Sequence, residues 1–277
     1  MDGGIKLIKD ITIGQFFPGK SVIHRLDPRT KIVLTMALII VVFFCQNIFS
    51  LLLMILFVAA INLLSRIPVK VVLKGIKPIV IIVIFTAILN LLYTDDGRVL
   101  VEFWVIKITD QGIETAIFMA IRIVLLIVSG SLLTYTTSPT QLTDALERLL
   151  SPLKLLKVPV HSIAMMMTIA LRFIPLLVEE IERIMNAQKA RGADMENGNL
   201  IKRAKALVPV LIPLFISSFR RAGDLAFAME CRCYDGDSGR TRMQTMQFAW
   251  RDLGALIAMC VLITGIILLN IFVPDFI

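Results

Sequence analysis

"KIVLTMALIIVVFFCQNIFSLLLMILFVAAINLLSR", residues 31–66, holds no charged side chain between Lys31 and Arg66. A helix that crosses a bilayer needs about 20 mostly apolar residues. The stretch therefore reads as two spans, 31–46 and 48–64, joined by almost no loop. Three further segments repeat the pattern: 78–93, 112–135 (interrupted by Arg122) and 253–273. Across 277 residues the chain is 57% hydrophobic, with a mean hydropathy of +0.83. A soluble chain is about 45–50% apolar even with glycine counted, so lipid is the solvent here. The fold class expected is all-α, a polytopic helical membrane protein.

The net charge of +8 would suggest nucleic acid in a soluble protein. In a membrane protein it is the signature of Lys and Arg on cytoplasmic loops, and no nucleic-acid role is expected. Residues 1–31 carry Lys6, Lys9, Lys20, Arg25, Arg29 and Lys31, and residues 65–77 carry Arg66, Lys70, Lys74 and Lys77. The 45–50 turn has no charge, and the 94–111 loop is net acidic. The N-terminus is then cytoplasmic, and four spans bring the chain back inside near residue 137. Residues 98–109 look like a short outer hairpin or an interfacial segment. The N-terminal stretch has no continuous apolar core of a cleavable signal.

The chemical inventory is sparse. Cys45, Cys231, Cys233 and Cys260 have only His24 and His161 as possible co-ligands, both far off in sequence. A zinc site usually takes four ligands, so the cysteines read as free thiols in a reducing compartment, with no metal and no cofactor. The letters of residues 14–21, GQFFPGKS, fit the G-x-x-x-x-G-K-[ST] spacing, but Pro28 follows too closely for the helix that a phosphate loop must open; there is no G-x-S-x-G and no H-E-x-x-H. Arg122 is the one charged residue deep inside the spans, Lys31 and Glu114 standing at their ends; it snorkels or pairs within the bundle, or it lines a pathway. The chain is expected to be non-catalytic.

Residues 138–252 form one long block expected on the cytoplasmic side. Ser138 with Gln141 three residues on, and Pro139 between, is a helix-start pattern. Long helices are expected over about 161–191 and 199–234, each apolar in its first half and more polar in its second. Pro175 in one, and Pro209 and Pro213 in the other, predict kinks. The pair reads as running from the membrane face down into the cytoplasm. Each helix ends in an arginine between two small residues: Ala190-Arg191-Gly192, and, 41 positions on, Cys231-Arg232-Cys233. Ala187 and Ala228 match, as do Asp194 and Asp235. One reading is helix capping, because a cation near a helix C-terminus complements the dipole and Gly192 suits the residue beyond it. The other is docking: small neighbours permit close approach, and the arginine can fork onto a partner's carboxylate or carbonyls.

"HRLDPRTK" (24–31), "TSPTQLTDALERLLSPLK" (137–154), "ALRFIPLLVEEIERIMNAQKARG" (170–192) and the second tip at 228–234 occur in one order. Together they resemble the transmembrane T component of energy-coupling factor transporters, a branch of the ABC importers. The resemblance covers roughly residues 20–270. It implies two coupling helices whose arginine motifs dock two ABC-type ATPase subunits. It also implies a separate substrate-binding membrane subunit, the S component, for a vitamin or transition-metal ion. Arg191 falls in the first docking motif and Arg232 in the second, where Cys231 and Cys233 replace the usual Ala and Gly. Asp27, Pro28 and Arg29 fall in a recurring N-terminal signature; by their chemistry they read as a turn into the first span, with Asp27 paired locally.

The resulting expectation is a scaffold in a prokaryotic cell membrane, coupling ATP hydrolysis in partner chains to uptake. Residues 1–137 would be the N-terminal segment and a four-span bundle, 138–252 the coupling module, and 253–277 a C-terminal span. A reading of a different class is a solitary multi-span carrier or intramembrane enzyme. It would need no ATPase partners.

Overall fold

A computed structural model of the chain describes residues 16–93, 99–103, 106–193, 200–234, 236 and 248–272. Asp194 and Asp235, the last matched pair of the tips, lie outside the described residues. The architecture is helical, with one small hairpin. The chain divides into two compact units: Gly14–Ala145 with Thr245–Ile277, and Met1–Ile13 with Leu146–Gln244.

In the first unit, α1 (Pro28–Phe43) starts where Asp27 is extended and its carboxylate accepts the N–H of Arg29 at 2.9 Å. Pro28 at the first helical position loses no bond there. The local pairing expected for Asp27 is thus a helix cap. α2 (Ile48–Ser65) follows a tight turn in which the Ser50 hydroxyl accepts from the Asn47 N–H and donates to its carbonyl. It stops at Arg66, whose φ is +56°, ahead of Pro68.

The basic 65–77 stretch, expected as a loop, instead holds a short helix, α3 (Val69–Ile76). Val71, Val72 and Ile76 turn inward while Lys70, Lys74 and Lys77 stay exposed, so burial decides against a loop. Gly75 lets α3 come close: a Cβ there would lie 2.7 Å from the Tyr135 hydroxyl. Pro78 then imposes a 3-10 turn (Lys77–Ile79) before α4 (Val80–Tyr93). Strands β1 (Val99–Phe103) and β2 (Ile106–Thr109) form an antiparallel hairpin where the sequence suggests one. α5 (Asp110–Thr136) begins at Thr109, whose hydroxyl accepts from Gly112 N–H at 3.1 Å.

The core joins α1, α2, α5 and α9 (Trp250–Phe272) through Val42, Met54, Leu125, Val128, Leu262 and Ile266. Polar pins fix both ends of this bundle. At one end the Lys31 ammonium donates to the carbonyls of His24 (3.1 Å) and Thr136 (2.9 Å). There too the buried Asp252 carboxylate accepts the N–H groups of Asp27 and Ala249, both at 2.8 Å. At the other end Arg122 donates to the Cys45 carbonyl at 2.7 Å, and Asn270 to that of Phe44 at 2.7 Å. Hence α1 and α9 run parallel and α5 runs against both. Arg122 therefore pairs within the bundle, closing the α1–α2 turn, with its guanidinium also 4.9 Å from the Phe118 ring centre.

α6 (Pro139–Leu149) runs from the first unit into the second, past Ala145, and has the expected start: Gln141 N–H donates to the Ser138 hydroxyl, and Ser138 N–H to the Gln141 amide oxygen. After a 3-10 turn (Ser151–Leu156), His161 lies 3.0 Å from Glu147 at the start of α7 (Val160–Ala190). α8 (Leu200–Glu230) follows.

Among the described residues six helical segments are long and apolar enough to cross a membrane: 48–65, 69–92, 110–136, 160–190, 205–230 and 250–272. Five spans were expected. α7 and α8 are the additions, each through one apolar stretch, and the expected 31–46 span is not among the six. α1, with 16 residues, is about 24 Å long and shorter than these.

Candidate functional site

The repeat at 41 residues is a repeat of backbone geometry. At the first tip the Gly192 N–H reaches the Lys189 carbonyl (3.0 Å) and the Ala193 N–H reaches that of Gln188 (3.0 Å). At the second, Cys233 N–H reaches Glu230 (2.9 Å) and Tyr234 N–H reaches Met229 (3.1 Å). These are the same two capping bonds, each made possible by a left-handed residue just past the arginine: Gly192 at φ +86° and Cys233 at +56°. Glycine adopts that conformation freely, whereas for cysteine it costs about 1 kcal/mol or more. The capping reading thus accounts for the residue after each arginine.

For the arginines it offers only the helix dipole, which asks for no contact. Arg191 and Arg232 are exposed, and among the described residues neither guanidinium makes a hydrogen bond or ion pair. Ala190, Cys231 and Cys233 around them are exposed as well. All four cysteines are free thiols. Among the described residues no group of three or more His, Cys, Asp or Glu is placed to hold a metal.

The helices that carry the tips are antiparallel, and the sequence reading of a pair descending together is corrected here. Gln188 meets Pro209, Glu180 meets Arg221, and Met165 meets Tyr234. As one number rises the other falls, so the tips stand at opposite ends of the pair. A connection of residues 191–199 is far too short to return the chain along a helix of about 45 Å. The Arg221–Glu180 pair, at 2.8 Å, ties the middle. Both helices continue through their prolines. One proline has a visible consequence: Pro213 has no N–H to offer the carbonyl of Pro209, four residues back. That carbonyl accepts from the Gln188 side chain at 3.3 Å instead. Gln188 also supplies the carbonyl that Ala193 uses in the first cap, so the first tip is tied to the proline turn of α8.

Asp252 is the structural residue that sequence reading passed over. Beside Arg251, at the start of an apolar run, it reads as half of a solvated charge pair; its burial depends on Asp27, 225 positions away.

Residues 19–246 match the family model of the CbiQ cobalt transport proteins. The energy-coupling factor transporter transmembrane protein EcfT of Ruminiclostridium cellulolyticum is 55% identical over 260 residues, covering 94% of each chain. The protein of the same name from Thermosediminibacter oceani is 50% identical, over 94% of this chain and 98% of its own. That of Bacillus subtilis is 43% identical, over 92% and 97%. The order of spans, the arginine tips and these full-length likenesses lead to one assignment: the chain belongs to the CbiQ family, as the multi-pass, non-catalytic transmembrane T component of an energy-coupling factor transporter.

Proposed function

We propose that Arg191 and Arg232 each dock one of two ABC-type ATPase subunits, and that residues 138–252 act as the coupling module between them and a substrate-binding S component. The cargo of that S component is a vitamin or a transition-metal ion. The observation that carries the reading is the pairing of two identical caps with two free, exposed guanidinium groups at opposite ends of one antiparallel helix pair. From Met165, beside the second tip, to Arg191 is about 40 Å at 1.5 Å per residue, room for two separate partners. Both tips can face the cytoplasm only if the pair lies along the membrane face rather than across it. A crossing pair would put one tip outside. With the basic loops at the same side, the N-terminus is cytoplasmic. The greasy faces of α7 and α8, with Met166, Ile212, Phe215 and Phe219 exposed, then meet lipid and the S component.

The test is charge reversal in the full transporter. Breaking a buried charged pair costs about 3–5 kcal/mol, and tenfold in affinity is about 1.4 kcal/mol. Arg191→Glu or Arg232→Glu should weaken its own contact about a hundredfold or more, impairing uptake while some complex survives through the other tip. The double reversal should release the ATPases with the membrane part still folded. Simple capping predicts a loss of about 0.3–1 kcal/mol per site, with assembly and uptake intact. ATPase pull-down and uptake at matched expression decide between them.

A further inference from the structure

Between the inner faces of α1, α2, α5 and α9 lies a slot of about 410 Å³, within the size range of small-molecule sites. Its walls are aliphatic and aromatic, among them Leu34, Leu38, Phe57, Ile61 and Leu132. Its charged lining, Lys31 and Arg251, is gathered at one end, where α1 and α9 begin and α5 finishes. Most of the polar lining is already committed to the protein. The Lys31 ammonium is spent on His24, Thr136 and Thr137 oxygens. The Ser129 and Thr136 hydroxyls donate to the carbonyls of Leu125 and Leu132. A buried water needs two to four polar partners, and beyond the charged end the slot offers only the Thr35 and Ser129 hydroxyls, the second already donating to Leu125. It calls for an apolar occupant.

Arg251, exposed at the polar end, is different. Among the described residues its guanidinium has no hydrogen bond or ion pair. The carboxylate next to it, Asp252, is buried and has both oxygens engaged by backbone N–H groups. Of the two cations at that end of the slot, Arg251 is the one whose donors are unused among the described residues. From Lys31 to Leu38 it runs about 10 Å along α1. That admits an extended hydrocarbon chain, whereas a helix about 10 Å across with its side chains is too thick.

We propose that this slot holds an acyl chain of an acidic phospholipid, with the headgroup paired to Arg251. One cation facing an anionic headgroup contributes about 1 kcal/mol, or roughly a fivefold preference over a zwitterionic lipid.

The experiment uses the assembled transporter, delipidated and re-equilibrated with phosphatidylglycerol and phosphatidylcholine of identical chains. Retained lipid is counted by native mass spectrometry. Wild type should retain phosphatidylglycerol about fivefold over phosphatidylcholine. Arg251→Gln should bring that ratio near one while a chain is still retained. Gly254→Leu should abolish retention of both: Gly254 lines the slot, a Cβ there meets nothing within 4 Å, and leucine favours the helix. Lys70→Gln, an exposed cation on α3, should change nothing. The proposal is overturned if wild type shows no preference, if Arg251→Gln keeps it, or if Gly254→Leu retains lipid as wild type does. Retention of oleate in place of phosphatidylglycerol, when both are offered, also overturns it. ATPase assembly is not read in this experiment, so its failure would leave the docking of Arg191 and Arg232 untouched.

Discussion

Cys233 and Gly192 occupy the same left-handed position in the two tips, and single substitutions there should have opposite signs. Cys233→Gly removes the steric cost of a Cβ at positive φ and should stabilise the second cap by about 1 kcal/mol. Gly192→Ala should weaken the first by a similar amount. Hydrogen exchange at the Tyr234 and Ala193 amides, which close the two caps, reads each locally; shifts of the same sign would contradict the equivalence. His24 gives a second prediction. Burial, offset in part by its bond to the Phe17 carbonyl and assisted by the Lys31 charge, lowers its pKa below 6.5. The folded 16–27 turn thus favours neutral imidazole, while the unfolded segment binds the proton more readily. Stability is full above pH 6.5 and falls as pH drops through the folded-state pKa. Exchange in this turn should speed up on acidification, and His24→Gln should flatten that dependence. The sequence shows both positions as residue types. That a cysteine takes glycine's conformation is visible only in the backbone.

α1, α5 and α9 are held in register by side chains that bridge ends far apart in sequence. Asp252→Asn leaves one acceptor and turns an NH2 group toward a backbone N–H, at either Asp27 or Ala249. A buried donor without a partner costs about 1–3 kcal/mol. The thermal midpoint of the purified transporter should fall, with ATPase stoichiometry unchanged in the surviving complex. Arg122→Met removes the donor to the Cys45 carbonyl at the other end and should likewise lower the midpoint and the yield. Because Arg122 closes a turn, uptake per folded complex should stay near wild type. A selective loss of uptake at normal stability would return Arg122 to a transport pathway. The sequence flags Arg122 as an anomaly in an apolar helix, and gives no hint of its partner, since backbone carbonyls leave no compositional trace.

The whole molecule is tested by where its tips face. Cys231 and Cys233 are exposed natural labels on the second tip. Ala190→Cys, in a background without other cysteines, labels the first. Neither tip should react with a membrane-impermeant maleimide from outside, and both should react in inverted vesicles. If α7 and α8 crossed the bilayer, their antiparallel arrangement would send the tips to opposite faces. Labelling of one tip from outside would then remove the shared cytoplasmic docking surface. Within the bundle unit, the starts of α1 and α9 share the end where α5 finishes, so residues 137–249 leave from and return to one face of it. That constraint permits no crossing or an even number, and the labelling of the tips decides between them.

Composition and spacing were enough for the helical class, the apolar segments, the local pairing of Asp27, the helix start at Ser138, and the recurrence of small-Arg-small. Each depends on neighbours within a few residues, and local chemistry acts at that range. The full-length resemblance followed from motif order alone. The tertiary structure decided what separates those motifs in space. It folded the basic 65–77 stretch into α3 because its apolar face could be buried. It showed Asp252 capping from 225 positions away, and closed the α1–α2 turn with Arg122. It set α7 against α8, which the similar polarity gradients of the two helices had suggested would run side by side in one direction. Hydrophobic periodicity reports which face of a helix is apolar and carries no information on the direction of its neighbour; that is set by contacts such as Glu180 with Arg221 and Gln188 with Pro209.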